Sequence, residues 1–523
     1  MTRIEISLVK RWQKSFPRHI FAWLVIVSVL CSCGIISIDT MRNEPLPPLL
    51  PKSIDIAPHP RAWKTLCDQP KLSHQIPEQT GVTTTRASKN LTIDDLPNGV
   101  FIGIAMSGGG IRAANFSTAV LLELEKLGIL QKTAVISSVS GSSLAAAYYG
   151  LYGCDPELWN PTELRNRFRT NFELPWIGRW LDPRNIARYW FTNFNRSDIM
   201  LQELDSILFD EMQFKDMNQG RSSIPGTPRI LINATSYTNG QQFVFSDEQF
   251  EDRLNSRLDT YPVANAVMAS SSFPVVFHDV TLKDYTIKDR ALSGDESGDT
   301  TQNYEHLIDG GPSDNLGVGS LVNIVDKLYK NPQKPKGCFL FVVDAFPHQE
   351  LSEDLQKADT RHWYDFFLDT NVVTSSDVLL STRRVDLMRE VGVNVTLKDI
   401  NPYVQAKKKA DEKNPIDNCN VWHLTFQRLS APSFEAVVGG SEETDQFRHL
   451  LQLRKVVNGT PTRYKLTEVQ GYSPESVQDY LFKAANILVK NDKIKDEYGN
   501  EVFIFQDICK KMTAFGVENL KCN

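Results

Sequence analysis

The stretch VISSVSGSSLAAAYYG, residues 135–150, decides the fold. It begins as a short apolar strand, passes through a crowded run of small residues, and continues as an alanine-rich helix. Tight packing of a strand against a helix would account for the small residues. A nucleophile elbow would also account for them, because it holds a serine on a sharp turn where the neighbours two residues away must be small.

A second strand-to-helix unit precedes it. The apolar run 100–106 leads directly into Ser107-Gly-Gly-Gly110, and core spacing predicts a helix from Ile111 to Leu130. The glycines fit a dinucleotide-binding pattern, but that pattern needs a carboxylate at the end of the next strand, where only serines stand. The loop therefore favours a different anion, the oxyanion of an acyl transfer reaction, with a simple tight turn as the alternative.

Three serines compete for the elbow. Ser140 follows the apolar run directly and has Ser138 and Ser142 two residues away on either side. Ser143 has small neighbours as well, but it would already lie within the helix, and Ser142 has the bulky Leu144 in a crowded place. The position of the strand therefore predicts Ser140 as the nucleophile.

A reactive serine needs a base. None of the nine histidines stands in an evident base motif, although His306 and His423 stay open as partners. The segment LIDGGPSDNLG, 307–317, is more suggestive, because a strand-like run delivers Asp309 into two glycines. A desolvated aspartate can take a serine proton directly. An ordinary Asp-Gly turn is the alternative interpretation.

The N-terminus carries an export pattern. Five lysines and arginines lie within residues 3–18, before the uncharged run 20–38. The run contains Leu30-Cys31-Ser32-Cys33, which resembles a bacterial lipoprotein cleavage box with Cys33 as the lipidated residue. An uncleaved signal anchor is the alternative. Both interpretations predict a membrane-anchored protein of a bacterial cell envelope, with its main body outside the cytoplasm.

Composition excludes other classes. The 523 residues carry a net charge of −6 without a long basic tract, which disfavours a nucleic-acid partner. No CxxC pair is present, so no metal site is predicted. Export permits disulfides, and Cys509 with Cys522 is the pair with the shortest loop among the cysteines after Cys33.

Strands and helices alternate along the middle of the chain, which predicts an α/β fold with helices flanking a sheet. Further strands are predicted at 229–234, 242–245 and 338–344, and a helix at 263–277 that breaks at Phe273-Pro274. The predicted organisation is a signal peptide or anchor at 1–33, a linker at 34–95, a catalytic domain at 96–350 and an irregular C-terminal extension packed on it at 351–523. The aromatic segment 174–200 is expected to pack in the core, line an acyl pocket or touch a membrane, and the insertion 292–304 to be a lid or a plain loop.

Taken together, SGGGIR at 107–112, SVSGS at 138–142 and DGG at 309–311 resemble the patatin-like phospholipase family and the related catalytic domain of cytosolic phospholipase A2. The segments 269–277 and 233–246 are similar to bacterial members. The resemblance implies a three-layer sandwich with a central, mostly parallel sheet. It also implies a Ser-Asp dyad without histidine, with Ser140 as nucleophile and Asp309 as base.

The resemblance assigns further roles. Gly109, Gly110 and Gly141 would supply oxyanion N–H groups, and Arg112 would steady the loop or meet a lipid phosphate. The expected reaction is hydrolysis of a carboxylic ester in a membrane lipid through an acyl-enzyme, with neither metal nor cofactor. The sequence departs from the usual elbow by carrying serine at both glycine positions. A neutral-lipid lipase or lysophospholipase, and an inactive lipid-binding surface lipoprotein, stay open as alternatives.

Overall fold

The computed structural model describes residues 42–46, 91–217, 228–274, 276–286, 303–346, 380, 383–391, 418–430, 452–453, 455–457, 476–491, 493–495 and 501–522. The predicted apolar segment 20–38, Cys33 and most of the insertion 292–304 lie outside these ranges. Within them, no helix has the length and apolarity needed to cross a membrane.

Twelve strands and twelve α-helices lie wholly within the described residues. The strands are β1 Glu44–Pro45, β2 Val100–Met106, β3 Val135–Val139, β4 Arg229–Ser236, β5 Gln242–Phe245, β6 Ser256–Arg257, β7 Val280–Lys283, β8 Tyr304–Ile308, β9 Gly337–Asp344, β10 Cys419–Thr425, β11 Lys493–Lys495 and β12 Glu501–Phe503. The helices are α1 Gly110–Lys126, α2 Gly141–Tyr152, α3 Pro161–Arg169, α4 Glu173–Trp180, α5 Pro183–Phe191, α6 Arg196–Leu204, α7 Asp247–Leu254, α8 Val263–Ser270, α9 Gly311–Asp314, α10 Val318–Lys330, α11 Val477–Asn486 and α12 Ile504–Ala514.

An eight-stranded sheet forms the centre of the fold, in the order β10-β9-β2-β3-β4-β8-β7, with β5 also paired to β4. The five strands from β10 to β4 are parallel, β5 and β8 pair antiparallel with β4, and β7 pairs antiparallel with β8. The predicted mostly parallel sheet is confirmed. Because β2, β3 and β4 run in the same direction, the loops that follow them meet at one edge.

Helices cover both faces of this sheet, which gives the predicted three layers. Ile102 and Ile104 of β2 pack with α1 and α2 in one core, while Phe101 and Ala105 pack with α10 in a second core. β2 and β9 are buried on every residue, as strands covered on both faces must be. The alternation of side chains along each strand thus feeds two separate cores.

Distant parts of the chain join this centre. β10 lies within the range 351–523 and pairs with β9, and the disulfide Cys338–Cys419 links the two strands. The Cys509–Cys522 disulfide, the pair with the shortest loop, is also present. Near the N-terminus, the buried Asn43 donates its amide to Ser256 Oγ at 3.1 Å and to the Lys283 carbonyl at 2.8 Å. The chain is therefore fastened to the central body at residues 42–46.

Two predicted helix ends were wrong. α1 ends at Lys126 instead of Leu130, and a left-handed Gly128 turns the chain back. α8 ends at Ser270, three residues before the break predicted at Phe273-Pro274. The carbonyls of Ser270 and Ser272 accept the N–H groups of Gly310 and Asp309, at 3.1 Å and 3.0 Å. These long-range hydrogen bonds take the place of another helical turn.

Candidate active site

Ser140 stands on a strained turn between β3 and α2. Its backbone has φ 51° and ψ −127°, a conformation that non-glycine residues rarely adopt. Its N–H donates to Ser270 Oγ at 2.8 Å, and Ser270 Oγ in turn donates to the Asn233 carbonyl at 2.6 Å. The sharp turn expected of a nucleophile elbow is thus held in place by hydrogen bonds to α8 and β4.

The residue after Ser140 must be glycine. A Cβ at position 141 would lie 1.9 Å from the carbonyl oxygen of Gly110, so the two loops meet backbone to backbone. The flanking serines fit without glycine. Ser138 Oγ donates to the Leu231 carbonyl at 3.2 Å, and Ser142 Oγ donates to the Ser107 carbonyl at 2.5 Å. The two serines that replace the usual glycines therefore tie the elbow to β4 and to the residue that follows β2.

The other candidate serines have structural partners. Ser143 is fully buried within α2, and its hydroxyl hydrogen bonds with that of Ser270 at 3.1 Å. Ser142 is also fully buried and hydrogen bonds with Ser117 as well as with Ser107. Ser140 retains slight exposure, at 9%. Of the three hydroxyls, that of Ser140 is the one that faces a carboxylate.

That carboxylate belongs to Asp309, directly after β8. Asp309 accepts the Gly311 N–H at 2.8 Å, and the Ser140 side chain lies close enough to lower the pKa of the carboxylate. The residue is 5% exposed, and burial raises the pKa of Asp309 to about 6, although the Gly311 N–H and the Ser140 side chain act to lower it. A carboxylate with this pKa is ionised at neutral pH and more basic than an exposed aspartate. It is therefore suited to accept a proton from a serine.

The glycine loop 107–110 lies beside the elbow. Gly109 and Gly110 have φ values of 143° and 59°, which other residues adopt only with strain. Among the described residues, none accepts a hydrogen bond from the N–H groups of Gly109, Gly110 or Gly141. Gly110 and Gly141 also begin α1 and α2, whose N-terminal ends favour negative charge. The loop can thus present donors to an anion formed near Ser140.

The buried side chain of Arg112 contacts the glycine loop. The side chain is buried, and its Nε donates to the Ala345 carbonyl at 2.9 Å. Its guanidinium also lies against Gly109, where an added Cβ would come within 3.2 Å of Nη2. These contacts hold the Arg112 side chain against the glycine loop.

Asn315 contacts the glycine loop, although no motif in the sequence predicted this residue. Its carbonyl accepts the Gly108 N–H at 2.9 Å, and its Oδ1 fills the space where a Cβ of Gly108 would stand. The neighbouring Asp314 accepts the N–H groups of Leu316, Gly317 and Gly319 and so fixes the turn after Asp309. Both residues belong to the segment 307–317 that drew attention for Asp309. Asp314 and Asn315 lie within four residues of the Gly310-Gly311 pair, and this short spacing was the feature of the sequence that could have indicated them.

The two histidines left open lie elsewhere. His306 Nδ1 hydrogen bonds with Asp279 Oδ2 at 2.7 Å, on the wall of a cavity of about 430 Å³. His423 Nε2 hydrogen bonds with Asp344 Oδ2 at 2.9 Å. In the described part of the chain, neither is a hydrogen-bond partner of Ser140 or Asp309. The arrangement around Ser140 is thus a serine with a carboxylate, without histidine.

Asp344 forms a buried ion pair next to the glycine loop. It is fully buried and receives two hydrogen bonds from the equally buried Arg384. Burial alone would raise the pKa of Asp344, but the charges and hydrogen bonds of Arg384 and His423 hold it well below its usual range. Burial lowers the pKa of His423. No group of three potential metal ligands occurs among the described residues.

The family model for "Patatin-like phospholipase" matches residues 104–322. Residues 104–322 therefore resemble a patatin-like phospholipase domain. The match spans the glycine loop, the elbow and Asp309, and its family description indicates a lipid hydrolase. No curated protein matches the chain significantly.

Several solved structures are similar to the chain. Human GIVD cytosolic phospholipase A2 is 15% identical with a TM-score of 0.39, over 76% of this chain and 59% of that one. VipD from Legionella pneumophila is 12% identical with a TM-score of 0.24, over 80% and 77%. ExoU, in its complex with SpcU from Pseudomonas aeruginosa, is 13% identical with a TM-score of 0.21, over 75% and 77%. The chain thus spans about three fifths of the length of the human protein.

Proposed function

We propose that this protein hydrolyses carboxylic esters of membrane lipids through a dyad of Ser140 and Asp309. The observation that carries the proposal is the proximity of a serine on a strained strand-to-helix turn to a buried carboxylate of raised pKa. Both residues lie within the range 104–322 that resembles a patatin-like phospholipase domain. The family description supports a lipid as the substrate class.

The first half-reaction acylates the serine. The Asp309 carboxylate takes the proton of the Ser140 hydroxyl as Oγ attacks the ester carbonyl carbon. The N–H groups of Gly109, Gly110 and Gly141 stabilise the oxyanion of the tetrahedral intermediate. Asp309 then gives its proton to the departing alcohol oxygen, and the fatty acyl group stays on Ser140 as an ester.

The second half-reaction releases the fatty acid. Asp309, ionised again, takes a proton from a water molecule that attacks the acyl-enzyme, and the same N–H groups stabilise the second oxyanion. Collapse of this intermediate returns the proton to Ser140. One buried carboxylate serves as base and acid in turn, and a pKa near 6 suits both tasks better than that of an exposed aspartate.

We further propose that the protein is held on a membrane outside the cytoplasm, through lipidation at Cys33 or through an uncleaved anchor. The basic N-terminus followed by the uncharged run 20–38 supports this placement. The disulfides Cys338–Cys419 and Cys509–Cys522 support it independently, because disulfides persist in oxidising compartments. An anchored enzyme would meet its lipid substrate at the same surface.

The test follows fatty-acid release from phosphatidylethanolamine–phosphatidylglycerol vesicles, and from a triacylglycerol emulsion, by the full chain. We expect Ser140→Ala and Asp309→Asn each to lower release by about a thousandfold or more, because dyad members act as a unit. Ser143→Ala is the matched control and is expected to stay active. Release that survives in Ser140→Ala would overturn the assignment. No release by the folded wild type from either substrate would favour a lipid-binding protein.

A further inference from the structure

An exposed arginine lies beside the turn that follows Asp309. The side chain of Arg383 is exposed, and its Nε donates to the Ser313 carbonyl at 3.1 Å. Ser313 belongs to α9, whose first residue, Gly311, donates its N–H to the Asp309 carboxylate at 2.8 Å. One helical turn rises about 5.4 Å, so along α9 the carbonyl that holds Arg383 lies within about one turn of the N–H that binds the carboxylate.

The segment that carries Arg383 is fixed to the body of the protein. Residues 383–390 are helical. Three apolar side chains here pack in the second core: Leu387, Met388 and Val391. Closer to the site, Leu380 contacts the turn after Asp309, because its Cδ2 lies 3.0 Å from where a Cβ of Gly311 would stand. This packing and the hydrogen bond to Ser313 together fix where the Arg383 guanidinium lies.

No carboxylate neutralises this charge in the part of the chain that the structure describes. The nearest acidic residue in the sequence, Asp386, forms its ion pair with Arg389 instead, at 3.2 Å. Asp314, directly after Ser313, is buried and accepts three backbone N–H groups, those of Leu316, Gly317 and Gly319. The charge of Arg383 is therefore left for an anion that comes from outside the protein.

Two other arginines near the site are held by the protein itself. Arg112 is buried, and its Nε donates to the Ala345 carbonyl at 2.9 Å. Arg384 is buried in its ion pair with Asp344, and a buried ion pair is costly to break. Of these three arginines, Arg383 is the one whose guanidinium is exposed.

The chemistry of this guanidinium suits a phosphate. Arginine binds phosphate through two parallel N–H···O hydrogen bonds. Ser313 takes the Nε of Arg383, and the N–H groups of the Nη atoms have no acceptor among the described residues. The bond to Ser313 also orients the guanidinium before a ligand arrives, so less side-chain freedom is lost on binding. In a phospholipid, only glycerol carbons and their oxygens separate the phosphate from an acyl ester, whereas a neutral lipid carries no charge there.

We propose that Arg383 determines substrate specificity by binding the phosphate of a phospholipid while one of its acyl esters lies at Ser140. This inference rests on the proposed function, in which Ser140 and Asp309 hydrolyse a lipid ester, and it identifies the residue that selects the head group. Inorganic phosphate offers the same oxygens, so a test must compare the two ligands.

The first experiment compares two soluble substrates with the same acyl chains, dihexanoyl phosphatidylglycerol and dihexanoylglycerol. Arg383→Gln should lower kcat/KM for the phospholipid about tenfold or more, mainly through KM, because it removes a charge-assisted contact that precedes the reaction. It should change kcat/KM for dihexanoylglycerol by less than about threefold. Arg383→Lys should retain part of the preference, because lysine keeps the charge without the planar fork.

Arg389→Gln is the matched control, because Arg389 lies on the same helical segment and already pairs with Asp386. It should leave the rates on both substrates unchanged. An equal loss on both substrates in Arg383→Gln would contradict the proposal, because Arg383 would then support the active site as a whole. An unchanged preference for the phospholipid would also contradict it, and would return the phosphate contact to Arg112, for which the family resemblance suggests it.

The second experiment measures binding without turnover. In the Ser140→Ala background, calorimetry measures the binding of dihexanoyl phosphatidylglycerol and of inorganic phosphate, with Arg383 intact and with Arg383→Gln. We expect Arg383→Gln to weaken phospholipid binding about tenfold or more. Binding of inorganic phosphate that depends on Arg383, with phospholipid binding that does not, would overturn the proposal and indicate a site for free phosphate.

The two failures are distinguishable. If the wild type hydrolyses neither soluble ester but binds the phospholipid through Arg383, the proposed hydrolase function fails and the phosphate site stands. If the wild type hydrolyses both esters with the same preference as Arg383→Gln, the hydrolase stands and the role of Arg383 fails.

Discussion

Replacement of Asp309 by Asn should abolish hydrolysis and at the same time stabilise the folded protein at neutral pH. The wild-type carboxylate is 5% exposed, and its burial raises its pKa to about 6 from the ordinary 3.8. Ionising it inside the fold therefore costs free energy that an uncharged amide of the same shape does not incur. An active site that is strained for function commonly shows this opposition between activity and stability.

The sign and the size of this change in stability follow from proton binding by Asp309. Because the pKa of Asp309 is higher in the folded state, the folded protein binds more protons than the unfolded chain between pH 3.8 and about 6. The free energy of unfolding therefore falls as the pH rises through this interval. The difference between about 6 and 3.8 corresponds to about 3 kcal/mol, at about 1.4 kcal/mol for each tenfold change in proton affinity. The free energy of unfolding of Asp309→Asn should exceed that of the wild type by about this amount above pH 7, and by less than about 1 kcal/mol near pH 4.

The assay compares denaturant unfolding of the wild type and Asp309→Asn at about pH 8 and about pH 4. Ser140→Ala is the matched control, because it is expected to be inactive but keeps the buried carboxylate, so it should show no pH-dependent gain. A variant no more stable than the wild type at pH 8 would refute the reasoning. A gain of equal size at both pH values would refute it too, because the gain would then have nothing to do with ionisation.

Three further predictions concern the same site. The kcat/KM for a soluble ester should fall about tenfold between pH 7 and pH 5 as the Asp309 base is protonated, and a flat profile over that range would contradict its role as base. Gly141→Ala places a Cβ 1.9 Å from the carbonyl oxygen of Gly110, so the rate of hydrolysis should fall by about a hundredfold or more. Circular dichroism should still show a folded protein. Full activity of this variant would show that the reaction does not need the close contact between the two loops. Asp344→Asn leaves Arg384 buried without its anion and should cost about 3 to 5 kcal/mol in denaturant unfolding, whereas a loss under about 1 kcal/mol would mean that water reaches the pair.

The elements that local sequence patterns predict are the ones nearest to Ser140 and Asp309. β2 with its glycine loop, and β3 with its run of small residues, signal their structure within a few residues, because an apolar strand and a backbone turn are local features. Asp309 is also indicated by a local pattern, because the pair Gly310-Gly311 follows it directly. The structure brings Ser140 and Asp309 together, as the motifs led us to expect.

What the sequence did not predict depends on long-range contacts. α8 ends at Ser270, before the break predicted at Phe273-Pro274, because its carbonyl and that of Ser272 bond to the segment after β8, and no pattern within residues 263–277 contains those long-range bonds. The Asn315 contact to Gly108 and the Asp344–Arg384 pair likewise join positions that are far apart in the chain. Periodicity and turn residues report on neighbours in sequence, so they cannot report such pairs.

Mass spectrometry of the protein after treatment with a fluorophosphonate would identify the nucleophile, because this reagent bonds covalently to an activated serine. We expect a single labelled peptide, with the added mass on Ser140, no label in Ser140→Ala and much slower labelling in Asp309→Asn. A label on Ser143, labelling that persists in Ser140→Ala, or an unlabelled wild type that is folded would contradict it.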